Sequence, residues 1–202
     1  MRTLFLCLCI APFLSLSPYA VAEEMKSPDG ELTMTEAQPV DSEEIYQLQR
    51  ITLRRGTSIL WEYASSCRKL RFQWAADSRH CLIAQVNGGR DMSLFMLSID
   101  PDFSPRLQEL DLHAVDKKII EPIPEYYNRP GGSAPVSLVN WESIKWVEPT
   151  KCEMTYIKKS VGLDSEARLQ VELGEDRSEL TVLEITDKMA AKLKAGEKAP
   201  GN

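Results

Sequence analysis

The chain predicts an all-β fold of antiparallel meander sheets, blade-like or sandwich-like, with a short helix near the C-terminus. Three observations carry this expectation: repeated period-two alternation, turn residues at regular intervals, and a scarcity of helical spacing. Tyr46, Leu48, Ile51 and Leu53 lie among polar residues, Arg55-Gly56 punctuates, and Ile59-Leu60-Trp61 follows, which reads as a hairpin. Residues 70–74 alternate as a half-buried strand does. Residues 81–86 form another strand and run into the turn Asn87-Gly88-Gly89-Arg90. Residues 92–99 make the next strand, closed by Asp100-Pro101, and 106–112 can supply one more. Near the C-terminus 168–173 and 179–185 alternate across the tight connection 174–177. Helical turns are expected only at 113–121, before Pro122, and at 187–194, where Met189, Ala190 and Leu193 precede Gly196. The tail 195–202 is expected to be disordered.

The N-terminus has a different character. Met1-Arg2-Thr3 leads an apolar run of about 13 residues, shorter than the ~20 that span a bilayer. Ala20-Val21-Ala22 then precedes Glu23, the small-residue ending that a signal peptidase requires. A signal peptide over 1–22, cut after Ala22, places the mature chain in the periplasm or outside the cell. The remainder divides into an N-terminal β-meander half (23–112), an insertion loop (113–140) and a C-terminal β-meander half with its helix (141–194). Roughly 180 mature residues suffice for one domain or two small ones. The net charge of −6 and the lack of a Lys/Arg block speak against nucleic acid as a partner. No later run is long enough for membrane insertion.

Internal repetition is the most specific signal in the mature chain. Phe72-Gln73-Trp74, a polar turn and Cys81 are echoed by Ile144-Lys145-Trp146, a polar turn and Cys152. A version without Trp is Lys26-Ser27-Pro28-Asp29-Gly30-Glu31-Leu32. This pattern resembles the Trp-Ser-Pro-Asp-Gly turns of β-propeller repeats of the TolB and prolyl-oligopeptidase type. The resemblance implies a Trp packed between blades and a Pro-Asp-Gly turn from the first to the second strand of each. About three blade equivalents fit, fewer than the four to eight that close a ring. The repeat therefore stands for open or chain-shared blades, or for the stacked hairpins of another β-meander or sandwich.

Of the five cysteines, Cys7 and Cys9 leave with the signal. Cys67, Cys81 and Cys152 remain, an odd number in an oxidising compartment, which reads as one disulfide and one buried thiol. Cys67–Cys81 would close a local loop worth about 3 kcal/mol. Cys81–Cys152 is the rival, joining equivalent strands.

No catalytic, metal or cofactor motif stands out. His80 reads as a solvated turn residue, with too few companions for zinc. His113 lacks a Gly-x-Ser-x-Gly elbow that would complete a triad. Trp74 and Trp146 end repeated strands and belong to the core. Binding is instead expected at the long irregular segment 121–141, whose Tyr126, Tyr127 and Arg129 are residue types that anchor interfaces, with Trp141 beside them. The leading expectation is a non-catalytic binding or scaffolding module of the cell envelope with a protein partner and no cofactor; oligomeric state stays open. The alternatives are a hydrolase, or an accessory subunit of one, using Glu121, Glu125 and Glu142, and a secreted enzyme inhibitor.

Overall fold

A computed structural model describes residues 19–39, 47–87, 92–120, 136–160, 163–173 and 178–187. They form twelve strands and one helix, arranged as three four-stranded antiparallel sheets with no closed barrel. The first sheet is the meander β1 (Tyr19–Lys26), β2 (Leu32–Pro39), β3 (Gln47–Arg55) and β4 (Ser58–Cys67). The second is β5 (Lys69–Trp74), β6 (His80–Val86), β7 (Met92–Ile99) and β8 (Pro105–Leu110). Helix α1 (Leu112–Ile120) follows, and then the third sheet: β9 (Val136–Glu148), β10 (Lys151–Ser160), β11 (Leu163–Leu173) and β12 (Ser178–Asp187). The C-terminal helix expected over 187–194 lies, apart from Asp187 at the end of β12, outside the described residues, as does the tail.

The sheets stack because the middle one is apolar on both faces. Cys81 and Ile83 of β6, with Leu97 and Ile99 of β7, join Leu32, Met34, Ile51 and Leu53 of the first sheet in one core. The intervening residues Leu82, Ala84, Leu94 and Met96 join Met154, Tyr156, Leu169 and Val171 of the third sheet in another, which α1 closes with Val115 and Ile119. Period-two side-chain alternation is what allows one sheet to serve two cores.

The repeated Trp and Cys become direct cross-strand partners: Trp74 opposes Cys81 and Trp146 opposes Cys152. The turns repeat as well. Gly30 N–H donates to Ser27 C=O (2.8 Å), Ser78 N–H to Ala75 C=O (3.2 Å) and Phe103 N–H to Asp100 C=O (2.8 Å). Each time the fourth turn residue, the one that donates, is left-handed, at φ 76°, 61° and 66°. Each time the preceding aspartate accepts a backbone N–H two residues on: Asp29 from Glu31, Asp77 from Arg79 and Asp102 from Ser104. Asx turns of this kind hold a chain reversal with local hydrogen bonds. Asp29 N–H also donates to Ser78 Oγ (2.9 Å), joining the first two sheets at this rim.

The expected disulfide is absent. Cys67, Cys81 and Cys152 are all free and buried. Cys67 sits just before β5 begins, whereas Cys81 pairs with Trp74 at its far end. A strand of that length spans roughly 16 Å, well beyond the ~7 Å that a disulfide bridges. Cys152 belongs to the other core.

Candidate functional site

The second and third sheets do not meet along their whole height. Where β5 faces β9, a cleft of about 690 Å³ opens, and Met92 separates it from a second cavity of about 500 Å³ below α1.

The cleft owes its shape to an irregularity in β9. Thr155 opposes Asn140 while Glu153 opposes Lys145, so residues 141–144 together face Met154. Ser143 closes this bulge: its Oγ donates to Asn140 C=O (2.6 Å) and accepts Thr155 N–H (2.7 Å). Bulges re-aim side chains, and this one presents half-buried Trp141 and exposed Glu142 to the cleft. Across from them stands β5. Its Leu70, Phe72 and Trp74 face the first sheet, which leaves Lys69 and Arg71 on the opposite face, with Arg68 at the preceding corner. Arg71 reaches Glu142 at 3.8 Å, an exposed and long pair worth little. Among the described residues no carboxylate pairs with Arg68 or Lys69. The cleft thus carries a local excess of positive charge in a chain of net −6.

The second cavity contains a closed network. Lys158, whose side chain is 4% exposed, donates from Nζ to Asp116 Oδ2 (2.7 Å) and to Ser137 Oγ (2.6 Å). Tyr156 Oη donates to Asp116 Oδ1 (2.6 Å). Both oxygens of Asp116 are therefore occupied, and the network fastens α1 to β9 and β10. Serine beside lysine is the raw material of a nucleophilic dyad, but a base must accept the serine proton. Lys158 here donates to Ser137 and is neutralised by Asp116. His113 lies on the exposed side of α1 at the cavity mouth, beside Asp111 and Glu109.

Among the sequence-indicated residues, Trp141 lines the cleft and Glu142 stands at its rim. Tyr126, Tyr127, Arg129, Glu121 and Glu125 lie outside the described residues. His80 is not a freely solvated turn residue. Its Nδ1 is 2.6 Å from Asp77 Oδ2, and both side chains are about four-fifths buried. Burial raises the Asp77 pKa, but hydrogen bonds from the His80 ring and from the Arg79 and His80 N–H groups outweigh it and leave the carboxyl below its ordinary range. The thiols shift the other way: burial pushes Cys67 up to about 11 and Cys152 to about 12, and raises Cys81 further. They are inert core side chains at neutral pH.

Arg68, Lys69 and Arg71 are not among the residues the sequence points to, although three cations within four positions of an acidic chain are a readable signal. The Lys158–Asp116 pair offers none, because 42 residues separate its members. No protein-family model matches the chain, and neither do any curated protein or solved structure.

Proposed function

We propose that the chain is an exported, non-catalytic binding or scaffolding module of the cell envelope that receives its partner at the Trp141 cleft. The observation that carries this reading is the bulge that lifts Trp141 off its ladder opposite Arg68, Lys69 and Arg71. A large amphipathic ring beside cations over an apolar floor is suited to recognition. A hydrolase that works through paired carboxylates would need a second one facing Glu142, and among the described residues lining the cleft there is none. Tyr126, Tyr127 and Arg129 remain proposed contacts, since their segment joins α1 to β9 and both elements border these cavities. Export by cleavage after Ala22 would remove Tyr19, Ala20, Val21 and Ala22 from β1 and leave Glu23 to Lys26 paired with β2. We read the three stacked meanders as open, propeller-like blades, supported by the recurring Trp–Cys pairs and Asx turns.

Affinity capture from envelope extract tests the reading, with wild type compared against Trp141→Ala and a Tyr126/Tyr127/Arg129 triple-alanine variant. A stoichiometric partner lost in either variant is the expected result. Full retention in both would remove the cleft and the loop as the binding surface.

A further inference from the structure

We infer that the cleft takes a short anionic saccharide, its carboxylates held by Arg68, Lys69 and Arg71 and one sugar ring laid on Trp141. This rests on the cleft being the binding surface proposed above and adds the chemistry of its ligand. Charge is the first argument. Two of the three cations have no acidic partner among the described residues, and the third has only the long Glu142 contact. Guanidinium groups form bidentate, charge-assisted bonds with carboxylates. Shape is the second argument. A volume of about 690 Å³ lies within the range of small-ligand sites. Trp141 adds an aromatic face whose size matches a sugar ring's C–H surface.

The edge of β5 decides between a saccharide and an acidic peptide. An extended peptide gains most by adding a strand to a free edge. Here the buried Gln49 already occupies that edge: its Nε2 donates to Arg68 C=O (2.9 Å) and its Oε1 accepts Leu70 N–H (2.7 Å). Strand addition is blocked where the cations cluster, so the ligand is held by side chains alone.

Titration calorimetry on the mature chain tests this with tetragalacturonate, neutral cellotetraose and tetraglutamate. Tetragalacturonate is expected to bind, with an affinity that falls as salt rises, while cellotetraose does not bind. Its affinity is expected to fall roughly tenfold or more in Trp141→Ala and in the Arg68→Gln/Lys69→Gln double variant. The latter changes only exposed side chains, so circular dichroism should match wild type. Equal affinity for tetraglutamate, or tetragalacturonate binding that survives both variants, overturns the inference. Silence from all three probes overturns it too, while Trp141-dependent partner capture would leave the binding-module reading standing.

Discussion

Two glutamines tie successive sheets together. Gln49 of β3 hydrogen-bonds the Arg68 carbonyl and the Leu70 N–H at the head of β5. Gln108 of β8 does the same for β12, donating to Ser178 C=O and accepting Ser178 N–H, each at 2.7 Å. A carboxamide carries one donor side and one acceptor, so it can pair with an edge as a peptide group would. Gln49 is 2% exposed, and removing it strands a backbone donor and acceptor away from water. Gln49→Ala is therefore expected to lose about 2 kcal/mol in urea unfolding. The isosteric Gln49→Glu places a charge there and should lose at least as much. Nothing in the sequence marks these glutamines, because a clamp is defined by its partner and the partner lies 19 to 70 residues away.

At the scale of elements, the Asx turns and the helix dock set the stability that pH and mutation can reach. Asp29, Asp77 and Asp102 all titrate below the ordinary carboxylate range. Hydrogen bonds from Ser27 and from Ser104 lead for the first and last, and those to Asp77 overcome its burial. A carboxyl depressed in the folded state stabilises it above the unfolded value, and that contribution is lost as pH falls through the folded value. Stability should thus hold from pH 7 to about pH 4 and decline below. Asp77→Asn is expected to lose about 1 kcal/mol at pH 7 and to show a shallower acid decline by urea unfolding. Lys158→Met leaves Asp116 buried beside Tyr156 without its cation and should cost about 3 kcal/mol in thermal unfolding, whereas adding Asp116→Leu should recover much of it. Strands β5 to β8 were readable because apolar residues fill their buried positions, whereas β3 buries polar Gln49 beside Ile51 and Leu53. In β2 the inward set is Leu32, Met34 and Glu36, and a buried carboxylate in the third place breaks the period. β1 follows directly on the apolar run at the N-terminus, which hides it. Trp141 was readable as a residue type outside the repeated strands. The cations opposite it were not, since pairing β5 with β9 across a cleft is a tertiary fact.

For the whole molecule the decisive arrangement is a middle sheet serving two cores. The outward face of the first sheet carries Thr33, Thr35 and Arg54, with Leu48 and Ile59 exposed beside them, and that of the third carries Arg168, Gln170 and Glu172. Largely polar outer faces end a stack as capping repeats do. The first core draws on residues 25 to 107, the second on residues 82 to 182. A chain truncated after residue 120 is expected to keep the first core and expose Leu82, Leu94 and Met96 beneath α1, with dye binding well above that of the full chain. The two cores close in different order along the chain, and on the export route proposed above the N-terminal part reaches its destination first. The first pair of sheets can assemble while the last four strands are still in transit. Until those strands arrive, α1 is, among the described residues, the cover over a waiting apolar surface, and on that proposed route this interval is when the chain is most exposed to aggregation or to capture by a chaperone.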